Sequence, residues 1–234
     1  MKQHGQTRHT ASLRSAIKLM GLFSIIASLV GCSPPQPAAT KVEPVANDGN
    51  HNRYFQEGSG LIKPYMRLLG VPEKSTSSSK AKSEITRGIA LLDAVIVYNT
   101  NNWAAWWTIG KGYQALGDVN KACDAFGKSY AIQRENADVA REYMFECLNL
   151  GRTTEAISAA EYAVNLSPKD AGLHANLALA YTLAGRITDA HSAISKSLQI
   201  NPGDKISLTL SRIVQEIADG KRPQPRTMRE LEGR

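Results

Sequence analysis

The sequence predicts an all-α fold: a solenoid of antiparallel helix pairs that ends in a C-terminal capping helix. The first observation is that residue types recur every 34 positions between residues 102 and 204. The second is that bulky apolar residues inside each copy recur at helical spacing, three or four positions apart. A fixed period of this length is typical of stacked repeats, so we expect each repeat to be one supersecondary unit.

Each recurring column of the repeat has a structural role. Asn or Asp caps the start of a first helix, Gly ends that helix in a left-handed conformation, Ala allows a close helix crossing, and Pro follows the second helix. The columns are Asn102, Asn136, Asp170 and Asp204; Gly117, Gly151 and Gly185; Ala122, Ala156 and Ala190; and Pro168 and Pro202. They predict three helix pairs over residues 103–204, with repeats that start at Trp103, Ala137 and Ala171.

The register continues beyond both ends of these repeats. Residues 205–219 carry one apolar stripe and one polar face, which predicts a solubilising capping helix, and residues 220–234 read as a basic tail. Residues 61–102 are predicted to hold an N-terminal helical segment with a degenerate repeat, in which Ser83–Tyr98 is the second helix and residues 61–70 form a short apolar helix. The run Val95–Val97 alone favours a strand, but the register favours a helix. The polar stretch 73–82 is predicted to be a loop.

The repeat resembles the tetratricopeptide repeat (TPR) over residues 103–204. The first copy carries the family pattern at Trp106, Ile109, Gly110, Tyr113, Gly117, Ala122 and Phe126, with Ser129 and Arg134 in place of the usual Ala and Pro. The resemblance implies that the first helix of each repeat lines a concave groove for a protein or peptide segment. The 34-residue spacing also puts Tyr113, Cys147 and Tyr181 in one column.

Carrying over the groove positions of that family gives nine candidate partner-binding residues, several of them aromatic or aliphatic and expected to be exposed. They are Trp107, Lys111, Gln114, Arg141, Phe145, Leu148, Asn149, Leu179 and Thr182. The basic pattern that holds a peptide's terminal carboxylate in some members is not reproduced. An apolar groove implies either a partner or an internal occupant. Residues 61–70 could fill the groove or cap the solenoid, and the sequence leaves both open.

The N-terminal segment over residues 1–31 has the pattern of a secretory signal. Four basic and no acidic side chains precede an uncharged run over residues 19–30, which is shorter than the roughly 20 residues that a membrane span needs. Leu29-Val30-Gly31-Cys32 resembles the bacterial lipoprotein lipobox, which implies that Cys32 becomes a lipidated mature N-terminus. Ser33 after the Cys then implies the periplasmic face of the outer membrane. Residues 32–60 lack an apolar face and are predicted to be a flexible tether.

No residue pattern supports catalysis, a cofactor or a metal site. The segment Gly110–Gly117 superficially resembles a phosphate loop, but no strand precedes it and Gly-Lys-Ser/Thr is absent, so we expect its glycines to serve packing. His174 and His191 are expected to pack in or near repeat columns. More than half of the excess positive charge lies within residues 1–31, which disfavours a nucleic-acid partner.

Cys123 and Cys147 form a candidate pair. The predicted turn near residue 136 lies between the two cysteines, at nearly equal distances along the chain from Cys123 and from Cys147. The two therefore lie at nearly equal heights on consecutive antiparallel helices. They could form a disulfide, which an oxidising compartment would favour, or remain buried thiols that act as small apolar fillers. The spacing does not decide between the two.

Two functions fit these features, and neither is enzymatic. The first is a lipid-anchored adaptor or scaffold that binds an envelope protein and aids assembly of a machine such as a pilus or secretion system. The second is an adaptor that localises a cell-wall hydrolase or a protease. Both require a protein or peptide partner in the groove, membrane attachment through the lipid, and no small-molecule substrate.

Overall fold

The computed structural model describes residues 44–67 and 74–233. All of the regular secondary structure in these residues is helical, and they contain no strand, which confirms the predicted all-α class. The elements are α1 (His51–Ile62), a 3₁₀ turn (Lys63–Tyr65), α2 (Ser79–Tyr98), α3 (Trp103–Leu116), α4 (Val119–Ile132), α5 (Ala137–Asn149), α6 (Thr153–Leu166), α7 (Ala171–Leu183), α8 (Ile187–Ile200), α9 (Lys205–Ala218) and α10 (Met228–Leu231).

Consecutive helices pack in pairs, and the pairs stack. The most extensive contacts are α1 with α2, α3 with α4, α5 with α6, and α7 with α8, and each second helix then packs on the first helix of the next pair. First helices also contact one another, as α5 and α7 do, so a layer of first helices faces a layer of second helices. The apolar core lies between the two layers.

The predicted columns have their predicted roles. Asn102, Asn136, Asp170 and Asp204 each accept hydrogen bonds from backbone N–H groups in the first turn of the helix that follows. Gly117, Gly151 and Gly185 have φ values of 78°, 70° and 74°, a left-handed conformation that L side chains adopt only with strain. The three column alanines are completely buried. Residues with a strict local requirement therefore set the 34-residue register.

A serine explains one departure from the family pattern. The hydroxyl of Ser129 donates to the carbonyl of Trp103 at 3.0 Å, and that of Ser197 donates to the carbonyl of Ala171 at 2.7 Å. Both bonds join the second helix of a repeat to the first residue of its first helix. Because a carbonyl oxygen has two lone pairs, each of these carbonyls can accept the hydroxyl in addition to its intrahelical bond, and the buried hydroxyl thereby satisfies its own donor.

The prediction of a flexible tether through residue 60 is wrong from His51 onward, because α1 begins there. The predicted helix over 61–70 is also wrong: α1 ends at Ile62, and Pro64 lies in the 3₁₀ turn that follows. Helix α1 is poor in apolar residues and contains two glycines, so its sequence has no clear periodicity. It forms by packing on α2, where a Cβ on Gly58 would lie 2.9 Å from the carbonyl oxygen of Gly88.

Two further boundaries differ from prediction. Helix α2 starts at Ser79, with Ser78 as its N-cap, so the predicted loop over 73–82 is wrong from Ser79 onward. The strand signal at Val95–Val97 is overridden, as predicted, because these residues continue α2. Helix α9 ends at Ala218, and the residues after it include the buried Pro225 and the short helix α10 rather than a plain basic tail.

Residues 1–43 lie outside the described residues, and so do the predicted signal peptide, Cys32 and the first part of the tether. Residues 68–73 and 234 also lie outside them. None of the described helices is long and apolar enough to cross a membrane.

The capping aspartates should contribute measurably to stability. We expect Asp170→Ala and Asp204→Ala each to lower the free energy of unfolding by about 0.5 to 2 kcal/mol, because each leaves first-turn N–H groups without an acceptor. Urea unfolding followed by circular dichroism measures the change. Asp170→Asn and Asp204→Asn are matched controls, since Asn already serves this column at Asn102 and Asn136; a loss equal to that of the Ala variants would contradict the capping role.

Candidate functional site

The candidate site is the surface formed by α3, α5 and α7, called here the first-helix face. Trp107 on α3, Phe145 on α5 and Leu179 on α7 are half-buried and pack against the same apolar cluster. Helices α5 and α7 contact each other directly. The structure therefore places three of the four predicted apolar candidates on one cluster with part of each side chain still accessible.

Three predicted candidates are buried instead of exposed. Lys111 is 2% exposed, and Leu148 and Thr182 are fully buried. Leu148 belongs to the core, and the hydroxyl of Thr182 donates to the carbonyl of Ala178 at 2.7 Å. The expectation that these side chains project toward a partner is wrong, because α5 and the segment that follows α1 enclose Lys111, Leu148 packs in the core, and Gln224 of the C-terminal segment bonds to Thr182.

The polar candidates form a network around two carboxylates that the sequence analysis did not single out, Glu142 and Glu146 on α5. The ammonium of Lys111 lies 2.7 Å from a Glu142 oxygen, and Gln114 donates to Glu146 at 2.6 Å. Further contacts come from Arg141 to Glu142 at 3.7 Å and from Asn149 to Glu146 at 3.2 Å. The network links α3 to α5. Its sequence signal is a pair of acids four positions apart, each beside a predicted groove position.

Lys111 is enclosed on several sides. Its ammonium lies 5.3 Å from the centre of the Trp107 ring and 5.7 Å from that of Phe126, and it donates to the carbonyl of Arg67 at 3.4 Å. Burial lowers the pKa of Lys111 from its ordinary value, and the Glu142 carboxylate opposes that shift. The cation is thus an internal link between α3, α5 and the segment that follows α1.

The segment after α1 acts mainly as a cap. Ile62 is fully buried and Tyr65 nearly so, both in the N-terminal apolar cluster with α2 and α3, and the Tyr65 hydroxyl donates to Glu84. Of the predicted helix over 61–70, the residues from 68 onward lie outside the described residues. The described part closes the end of the core, and only the Arg67 carbonyl approaches the polar network.

Cys123 and Cys147 face each other across α4 and α5. Their sulfur atoms are 3.8 Å apart, both residues are fully buried, and both are free thiols. A hydrogen bond from Cys147, with a contribution from the Arg152 guanidinium, lowers the pKa of Cys123 to about 7, while the same pairing raises the pKa of Cys147. The cysteines therefore lie at matching heights, as the spacing predicts, and the structure adds that they face each other; a disulfide between the two remains a prediction.

The described residues offer little for catalysis or metal binding. They contain no group of three His, Cys, Asp or Glu side chains arranged to hold a metal ion. His174 is packed as predicted, with Nε2 2.9 Å from the Pro168 carbonyl oxygen. Gly110 and Gly112 allow close packing, since a Cβ would lie 2.6 Å from the Phe126 ring and 3.0 Å from Ile89. The resemblance of this segment to a phosphate loop is thus explained by packing.

Comparison with known proteins identifies the fold. No protein-family model and no curated protein matches the chain. Among solved structures, the chain is similar to that of MamA, with a TM-score of 0.59 and 19% identity over 74% of this chain and 84% of the other. It is also similar to YrrB, described as a TPR protein with an unusual peptide-binding site, with a TM-score of 0.53 and 18% identity over 62% of this chain and 74% of the other. The fold is a TPR solenoid.

The TPR solenoid has three regular repeats and two irregular ends. The repeats are the pairs α3/α4, α5/α6 and α7/α8, which agree with the predicted register. The pair α1/α2 forms a fourth, degenerate repeat. Helix α9 closes the other end, and its own Leu210 and Val214 are buried there.

Proposed function

We propose that this TPR solenoid is a lipid-anchored adaptor that binds a protein segment on its first-helix face. The observation that carries the proposal is the set of half-buried Trp107, Phe145 and Leu179 side chains on successive first helices. Large apolar side chains at a partly accessible surface favour an apolar partner segment, and a central one can contribute roughly 2 kcal/mol or more to binding. The peptide-binding site in the description of YrrB supports the same use of the fold.

The proposed location is the periplasmic face of the outer membrane, where the adaptor would aid assembly of an envelope machine such as a pilus or secretion system. The support is the sequence alone: an acid-free basic leader, a short apolar run and Leu29-Val30-Gly31-Cys32. Two or three acyl chains at Cys32 would hold the protein on a membrane, because each buried methylene contributes about 0.8 kcal/mol.

Processing and lipidation at Cys32 should be detectable directly. We expect the mature chain to begin at Cys32 and to carry a diacylglycerol thioether, as measured by mass spectrometry of the N-terminal peptide. A Cys32→Ser chain should leave the membrane fraction, while Ser33→Ala, the matched control, should remain in it. An unmodified Cys32, or a Cys32→Ser chain that still sediments with membranes, would overturn the anchor.

Photo-crosslinking in intact cells tests the binding role. A photoreactive residue at Trp107 or Phe145 should capture a defined envelope protein, and one at the exposed Lys196 on α8, a second helix, should not. Capture from Leu179 should be lost in a Phe145→Ala chain whose circular dichroism is unchanged. Equal capture from the α8 position would show that the first-helix face is not the binding surface.

A further inference from the structure

The C-terminal segment, residues 220–233, turns back over the first-helix face. Gly220 has a φ of 70° and ends α9, and the next two backbone N–H groups donate to the carbonyl of Glu216. The Gln224 side chain then donates to the carbonyl of Thr182 on α7 at 2.6 Å. Helix α10 packs on α5. The segment therefore runs from α9 past α7 to α5, across the helices that carry Leu179 and Phe145.

The segment presents one apolar edge to the solenoid. Pro225, Met228 and Leu231 are spaced three positions apart; Pro225 is buried, and the other two pack against the cluster that contains Leu148. The charged residues Arg226, Arg229, Glu230 and Glu232 are exposed. Met228 and Leu231 lie in α10 and Pro225 precedes it, so the single helical turn has apolar residues at one edge and charges at the other, a recurring form of peptide ligand.

The attachment of this segment is shallow. Helix α10 is a single turn with no buried residue. Within the segment, Thr227 caps the N–H of Glu230 at 3.2 Å and Arg222 donates to the carbonyl of Leu231 at 3.3 Å, while the Arg222 guanidinium also pairs with Glu216 on α9 at 3.1 Å. The segment thus keeps much of its own shape and depends on the solenoid through a few side chains, so it can leave without unfolding the repeats.

We propose that the C-terminal segment is an internal ligand of the first-helix face, and that the external partner is a short helical segment with the same three-position apolar spacing, which binds by displacing it. This rests on the proposed function, because it names the partner chemistry for the same face. Only molecules in which the segment is released can bind the partner. The apparent affinity for the partner is therefore reduced in proportion to the fraction of molecules in that state. Release would then control access to the face.

A peptide titration tests the proposal on the full chain. The probe is a fluorescent peptide of residues 220–233, followed by anisotropy. We expect it to bind a Met228→Glu/Leu231→Glu chain at least tenfold more tightly than the unchanged chain, because that variant's own segment no longer occupies the face. A peptide carrying the same two glutamates should not bind. The matched control is Arg229→Glu, an exposed site on the same turn, which should bind the probe as weakly as the unchanged chain.

Several outcomes would overturn the proposal. Equal affinity for the unchanged and double-variant chains would show that the segment does not compete, and no binding to a double variant with unchanged circular dichroism would show that the face does not recognise this pattern. Concentration-dependent dimers of the unchanged chain, lost in the double variant, would make the occupant a second copy. If the peptide fails while crosslinking from Phe145 in cells persists, the proposed function stands and only the partner chemistry is wrong.

Discussion

Oxidation of Cys123 and Cys147 to a disulfide should raise the free energy of unfolding by roughly 3 to 4 kcal/mol, because the bond closes a loop of about 25 residues and the chain-entropy account gives this magnitude. The two sulfurs are already 3.8 Å apart. The reaction removes one hydrogen from each thiol and passes two electrons to an oxidant such as oxidised glutathione, through thiolate attack. Because the pairing lowers the pKa of Cys123 and raises that of Cys147, we expect Cys123 to be the attacking thiolate.

Urea unfolding of the oxidised and reduced chains measures the gain, and peptide mass spectrometry confirms the bridge. A Cys123→Ala chain is the control, because Cys147 and Cys32 remain and its stability should not respond to glutathione. A verified bridge with no gain in stability would contradict the entropic account.

The redox state of the pair in cells also tests the proposed location. Thiol trapping in cells should find the bridge formed in an oxidising envelope compartment, and a fully reduced pair would oppose the proposed location.

The repeat register could be predicted because it depends on residues with strict local requirements. The left-handed turns at Gly117, Gly151 and Gly185 need glycine, and the helix starts need a side-chain acceptor such as Asp170. These requirements act over short stretches of chain, so a single sequence displays them. Helical rise likewise predicts that Cys123 and Cys147 lie at nearly equal heights on antiparallel helices, but it does not show that the two side chains face each other.

Helix α1 could not be predicted in the same way, because its stability comes from residues in a distant part of the sequence. Gly58 and Gly88 approach closely at the crossing of α1 and α2, and Ile62 fills the space beside Gly88. The segment His51–Ile62 alone shows two glycines and few apolar residues, which is typical of a loop. Tertiary packing overrides that local preference, and no periodicity within the segment signals it.

Exposure within the candidate site was only partly predictable. The register indicates which side of a first helix a residue occupies, and Trp107, Phe145 and Leu179 are half-buried there. It does not show which positions the adjacent helix or the C-terminal segment covers, and Leu148 and Thr182 are therefore buried although their register positions predict accessible side chains. The C-terminal segment reads as a basic tail because its apolar residues are few; their three-position spacing was the available signal.

The polar network fixes the positions of α3 and α5, which carry apolar side chains of the first-helix face. Lys111 joins α3 to Glu142 on α5 and to the Arg67 carbonyl, while Gln114 and Asn149 hold Glu146. Because the ammonium and the two carboxylates are buried, each needs its partners to offset desolvation. A partner segment would then meet the half-buried apolar side chains of the face on helices whose spacing is already set, which lowers the cost of ordering the surface on binding.

Lys111→Met should lower the free energy of unfolding by about 3 to 5 kcal/mol, because it removes the nearer cation of the buried Glu142 carboxylate, at 2.7 Å, and leaves Arg141 at 3.7 Å. Met keeps most of the volume between the rings of Trp107 and Phe126, so the loss reports on charge rather than on a cavity. Urea unfolding measures it. Adding Glu142→Gln should recover most of the loss, since the neutral amide no longer needs a counter-charge. The coupling between the two substitutions measures the pair.

Lys121→Met is the matched control for charge removal, because Lys121 pairs with Asp118 at 3.1 Å on an exposed surface and should change stability very little. Purely additive effects of Lys111→Met and Glu142→Gln would contradict the buried pair.

The folded double variant also separates structure from recognition. Because Lys111 is 2% exposed and pairs with an internal carboxylate, its ammonium is not accessible to a ligand. We therefore expect the double variant to capture the same partner in crosslinking as the unchanged chain, and a loss of capture would mean that a partner carboxylate displaces Glu142.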